Sequence, residues 1–114
     1  MENKEIIEGN KLVAEFDGWV IDNSFPDKDR TYIKNGGIEL DTTFKYHTSW
    51  DWLMHVVEKI ESLGYDFEFK KQGKFTNVRF KGIIDYNCKR YDNITAIYNA
   101  VVEFIKWYNE NKNK

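Results

Sequence analysis

The chain has 114 residues, enough for one hydrophobic core and too few for two, so a single domain over residues 1–114 is expected. With 41% hydrophobic and 17% aromatic residues, a packed core needs no disulfide or structural metal, and the composition excludes a disordered chain. A formal charge of −2, from 17 basic and 19 acidic residues, argues against nucleic-acid binding by the chain as a whole and confines any electrostatic function to local patterning.

Residues 10–17 read as a short helix. Asn10 can cap it, Leu12, Val13 and Phe16 share one face, and Gly18 suits a left-handed exit, while Gly9 separates this helix from Ile6 and Ile7. A strand is predicted over 19–23, then a loop over 24–30 around Pro26. Asn35-Gly36-Gly37 marks a hairpin within 32–40, because these residues tolerate the positive φ of tight turns. The strongest helix covers 49–63. Thr48 or Ser49 can cap it, Asp51 complements the helix dipole, and Trp50, Leu53, Met54, Val57 and Ile60 form a core-facing stripe up to the stop at Gly64.

From Tyr65 the period changes to two. Tyr65, Phe67 and Phe69 alternate with Asp66, Glu68 and Lys70; Gln72-Gly73-Lys74 turns the chain; and Thr76, Val78 and Phe80 then alternate with Asn77, Arg79 and Lys81. The predicted hairpin strands span 65–86, with a third strand within 82–86. Asp92 or Asn93 caps a last helix over 93–109, with Ile94, Ile97, Tyr98, Val101, Ile105 and Tyr108 on its apolar face. The predicted class is α+β: an antiparallel sheet of short strands packed with two long amphipathic helices and a short N-terminal helix.

Cys88 is the sole cysteine, which excludes an intramolecular disulfide, fits a reducing compartment and reads as a small, partly buried hydrophobe. The first ten residues lack the apolar run of a secretory leader, and no stretch approaches the roughly 20 apolar residues that cross a bilayer. A cytoplasmic protein with no membrane partner is expected. Asn93-Ile94-Thr95 forms a glycosylation sequon that, without secretion, is better read as a helix cap.

Catalytic signatures are absent: there is no glycine-rich phosphate loop, paired-cysteine motif, His-Glu-x-x-His or nucleophile elbow, so neither an enzyme nor a cofactor is expected. His47, Asp51 and His55 recur every four residues, as a metal or acid–base site on successive turns would require; the alternative is a surface pair of Asp51 with His55. The strongest local signal is charge. Between residues 70 and 91 Lys70, Lys71, Lys74, Arg79, Lys81, Lys89 and Arg90 face Asp85 alone, a balance of +6.

Arg79 and Lys81 should emerge from one sheet face near Asn77, Tyr86 and Tyr91, where they could hold an anion and stack a base. Lys74, Arg79, Lys81, Tyr86, Lys89 and Arg90 are therefore candidate ligand-binding residues for an anionic small molecule or nucleotide. A lysine-protected sheet edge is the competing reading. The order helix, three strands, helix also occurs in double-stranded-RNA-binding domains, but the last helix opens Asp92-Asn93-Ile94-Thr95 without a basic residue, which disfavours nucleic acid.

Trp50, Trp52 and Trp107 cannot all face a core on regular helices. Trp52, roughly 200° around the helix from Trp50, is a candidate ligand wall or self-association surface, which keeps open a protein partner or homo-oligomer.

Three segments, NKLVAEFDGW at 10–19, SWDWLMHVVEKI at 49–60 and AVVEFIKW at 100–107, resemble the phage alpha-beta-alpha sandwich family of small phage and prophage proteins. The resemblance implies a phage accessory protein made in a bacterial cytoplasm. That family has no assigned activity, so the resemblance supplies no site residue. The combined expectation is a non-enzymatic accessory binding protein that sequesters an anionic or nucleotide immune-signalling ligand, or alternatively an interaction module acting on a host protein.

Overall fold

The computed structural model describes residues 3–22, 31–34, 37–40, 44–89 and 93–111. Its elements follow in the order α1 (Asn3–Phe16), β1 (Val20–Asp22), β2 (Thr31–Lys34), β3 (Gly37–Leu40), α2 (Trp50–Ser62), β4 (Phe67–Gln72), β5 (Phe75–Phe80), β6 (Ile84–Lys89) and α3 (Asn93–Asn111). This is an α+β fold, with its helices and strands in the predicted order. The strands divide into two antiparallel sheets, β1-β2-β3 and β4-β5-β6, where a single sheet was expected. In the first sheet Lys34 pairs with Gly37, so residues 35 and 36 connect β2 to β3. Those two residues and the loop expected at 24–30 lie outside the described residues.

The first helix departs most from expectation. It begins at Asn3 and runs through Gly9, so Asn10 is a mid-helix residue, 2% exposed, and not a cap. Gly9 is present because α1 and α3 meet there: a Cβ at position 9 would run into the Tyr98 hydroxyl, which donates to the Ile6 carbonyl at 3.3 Å. A glycine that reads as a helix breaker is in fact a close-approach residue.

The second helix matches its signals. Ser49 caps it with extended φ and ψ (−114° and 121°), and its Oγ accepts from the Trp52 N–H at 3.5 Å. Its buried residues are Leu53, Val56, Val57 and Ile60, whereas Trp50, expected in this stripe, is 46% exposed. As the first residue of the helix, Trp50 hangs past the end of the packed stripe.

At the centre lies α3, in contact with α1, α2, β5 and β6. Neighbours on several sides explain why its buried face is broader than one stripe: Ala96, Ala100 and Phe104 are covered along with Ile97, Tyr98, Val101 and Ile105. The small side chains at 96 and 100 admit close neighbours. Phe104 meets Phe80 (ring centroids 5.0 Å apart), Tyr65 (5.1 Å) and Phe16 (6.3 Å), which ties β5, α1 and the start of the second sheet to one point. Burial of a ring of this kind contributes about 2–3 kcal/mol. β5 buries Thr76, Val78 and Phe80 beneath α3 and leaves Asn77 and Arg79 on the wet face, following the predicted alternation. Among the described residues no helix is long and apolar enough to cross a membrane.

Candidate functional site

The segment Phe16-Asp17-Gly18-Trp19 ends α1 and opens the site. Gly18, at φ 103°, takes the left-handed position predicted for it, and Trp19 N–H returns to the Ala14 carbonyl at 2.9 Å while Gly18 N–H reaches Glu15 at 3.2 Å. This glycine-stabilised exit turns Asp17 and Trp19 out of the helix toward α2. The carboxylate of Asp17 thereby sits at the negative end of the helix dipole, where its charge is disfavoured unless cations or donors surround it.

Those groups arrive from three other parts of the chain. Asp17 is only 6% exposed. Its Oδ2 accepts a hydrogen bond from the Tyr46 hydroxyl at 2.8 Å. Its Oδ1 lies 3.2 Å from Lys34 Nζ and 3.3 Å from His55 Nε2. Neither nitrogen is aligned for a hydrogen bond, so Oδ1 accepts none although it is buried. Oδ1 is therefore held by charge, chiefly that of Lys34, and keeps lone-pair capacity for a further donor.

Around this oxygen lies a cleft of about 300 Å³, lined by Asp17, Trp19, Lys34, Tyr46, Asp51, Trp52 and His55. Its aromatic wall is braced from behind: Trp52 packs edge-on against Tyr46 at 5.2 Å and against Phe44 at 6.4 Å, and Trp19 meets Phe44 at 5.4 Å. Phe44 and Tyr46 are each 1% exposed, so both tryptophans rest on a fixed aromatic base. The cleft offers indole surface, a proton acceptor and two nitrogen-bearing side chains. Among the described residues, its lining contains no serine, threonine or cysteine that the Asp17–His55 contact could activate as a nucleophile.

The sequence-derived candidates distribute differently from expectation. Trp52 lines the cleft. Arg79 lies on the outer face of the second sheet, with Glu68 opposite on β4 and Asp85 opposite on β6; its Nη1 is 3.6 Å from Glu68 Oε2. The protein thus supplies anions to this guanidinium itself. Tyr86 pairs with Val78 and so belongs to the opposite face, where its hydroxyl accepts from Asn99 Nδ2 at 3.2 Å.

Lys74 is in the β4–β5 turn and Lys81 in the β5–β6 turn, at opposite ends of a six-residue strand. At about 3.3 Å per residue the two are roughly 20 Å apart and cannot converge on one small anion. Lys89 ends β6 opposite Phe75, with its side chain outside the description, and Arg90 lies outside the described residues. Among the described residues, the basic side chains therefore spread along the second sheet.

The His47, Asp51, His55 series also separates. His55 turns to Asp17 and not to Asp51, whereas His47 precedes α2, packs against Tyr98 with ring centroids 6.2 Å apart and receives Asn10 Nδ2 at 3.0 Å on its Nδ1. Accepting that bond requires a neutral imidazole, and burial holds the His47 pKa below its ordinary 6.5. Among the described residues no group of three or more His, Cys, Asp or Glu side chains could hold a metal ion.

Reading the sequence alone missed Asp17, Lys34 and Tyr46. One signal was present: an aspartate next to the negative end of a helix, a position that calls for a cationic partner. No family model, curated protein or solved structure matches this chain.

Proposed function

We propose that this chain is a non-enzymatic binding protein that takes a small aromatic ligand bearing an exocyclic amino group, of the nucleobase or nucleoside class, in the cleft between Trp19 and Trp52. The observation that carries this reading is the buried Asp17 Oδ1, which accepts no hydrogen bond on the wall of a cleft that two indoles also line. An exocyclic amino group would donate to that oxygen, and the ring would stack on an indole, a contact worth about 1–3 kcal/mol per base. Lys34 and His55 stand beside the same oxygen and would meet a sugar hydroxyl or phosphate carried by the ring. A volume of about 300 Å³ is at the lower end for ligand pockets and suits a single heterocycle.

This reading keeps the nucleotide-class ligand and moves it from the second sheet to the cleft. A protein that sequesters a nucleotide signal would suit a phage accessory role of the kind implied by the family resemblance. The test is tryptophan fluorescence and calorimetry with cytidine, adenosine, uridine and their monophosphates. Cytidine or adenosine should bind in the micromolar range, and uridine, which presents a carbonyl in place of the amino group, at least tenfold more weakly, about 1.4 kcal/mol. Asp17→Asn should abolish that discrimination. Equal binding of cytidine and uridine, or no binding of either up to about 1 mM, would refute the reading.

A further inference from the structure

On the other side of α1 a larger feature remains that the cleft does not use. The α1 residues Glu5, Glu8, Gly9 and Leu12 recur at helical spacing on one face, and Tyr98, Asn99, Val102, Glu103 and Lys106 do so on α3. Between the two faces, with Tyr86 of β6 contributing, lies an open groove of about 600 Å³. Its floor exists because the helices meet at Gly9: the Tyr98 hydroxyl bonds the Ile6 carbonyl, and burial pushes that phenol well above its ordinary pKa, so it remains a donor. Leu12, Val102 and the ring of Tyr86 give the floor an apolar surface, over the buried Tyr98.

The rim has the opposite character. Glu5 and Glu8 are exposed on the α1 side, and among the described residues no cation pairs with either. On the α3 side Glu103 pairs with Lys106 at 3.6 Å, an exposed pair with side chains 52% and 57% accessible. From Tyr98 to Lys106 the α3 wall rises about 12 Å, room for roughly two turns of an opposing helix.

We infer that this groove docks a basic amphipathic helical segment of a partner protein. Its apolar face would seat on Leu12 and Val102, and its lysines or arginines would meet Glu5, Glu8 and Glu103, the helix-in-groove mode of recognition. Charge decides between occupants. A second copy docked through the same face would bring a second set of Glu5, Glu8 and Glu103 into one interface, a crowding of like charge that costs stability. Nucleic-acid phosphates and anionic lipid surfaces are repelled by the same rim. The groove shares no lining residue with the tryptophan cleft, so this docking stands independently of the proposed ligand.

The test uses the full chain and a fluorescein-labelled peptide of leucine and lysine arranged at helical spacing. Controls are a peptide of the same composition with scrambled spacing and one with glutamate in place of lysine. The patterned peptide should bind with a micromolar Kd, the scrambled peptide about tenfold more weakly, and the glutamate peptide not at all. The exposed double variant Glu5→Lys/Glu8→Lys should lose at least tenfold, and in the wild-type protein the amide resonances perturbed by the peptide should cluster at residues 5–12 and 98–106. Equal binding of patterned and scrambled peptides, undiminished binding to the double variant, or perturbations centred on another face would each overturn the inference.

Discussion

Replacing Gly9 by alanine sets two opposing effects against each other at the α1–α3 contact. In an unobstructed helix the change is favourable by about 1 kcal/mol, because alanine loses less backbone freedom than glycine. Here the new Cβ meets the Tyr98 hydroxyl. That side chain is 1% exposed, with its hydroxyl bonded to Ile6 and its ring beside His47, so it has little room to retreat. Overpacking of this kind costs about 1–3 kcal/mol, so Gly9→Ala should destabilise the protein by up to about 2 kcal/mol net.

Tyr98→Phe removes the obstructing oxygen and leaves ring carbon Cζ, 3.3 Å from the alanine Cβ, as the nearest atom. The single change loses about 1 kcal/mol with its hydrogen bond. In that background Gly9→Ala should recover most of the helical gain, giving a favourable coupling of about 1–3 kcal/mol. Urea denaturation of the four proteins measures it. Stabilisation of the Tyr98 protein by Gly9→Ala, or a coupling below about 0.5 kcal/mol, would show that the helices do not approach at this glycine.

Tyr46→Phe removes a hydrogen bond to the buried Asp17 carboxylate and should cost about 1.5–3 kcal/mol, read as a fall in the urea midpoint. Phe104→Ala, at the meeting point of Phe16, Tyr65 and Phe80, should cost about 3–5 kcal/mol by the same measurement. Because burial lowers the His47 pKa in the folded state, the neutral ring contributes stability that is complete above the unfolded value of 6.5 and is lost as pH falls below it. An NMR titration should therefore place His47 below 6.5, and stability should decline from that pH downward. Arg79→Ala breaks only a half-exposed pair with Glu68, so it should change stability by less than about 1 kcal/mol and leave nucleoside binding unaltered; loss of binding would return the site to the second sheet.

Signals that act within one element survived into three dimensions. Ser49 capping α2, Gly18 ending α1 and the alternation through Thr76, Val78 and Phe80 each depend on local geometry or on a face turned toward a core, and both are encoded by neighbours along the chain. Readings that needed to know what lies opposite were the ones that changed. Gly9 looked like a boundary until Tyr98 was placed against it, and Trp50 looked buried until the packed layer proved to end beside it.

The candidate site shows the same division. A run of basic residues is visible in any sequence, but whether it forms a pocket depends on strand register, which set Glu68 and Asp85 beside Arg79 and sent Tyr86 to the other face. Asp17, Lys34, Tyr46 and His55 are scattered over 39 positions and carry no shared motif. Chain order alone determined the order of helices and strands and the class of fold, but not where α1 begins or how the strands divide into sheets. Only folding decided which charges meet, because electrostatic pairing depends on distances of a few ångströms between segments that local periodicity does not relate.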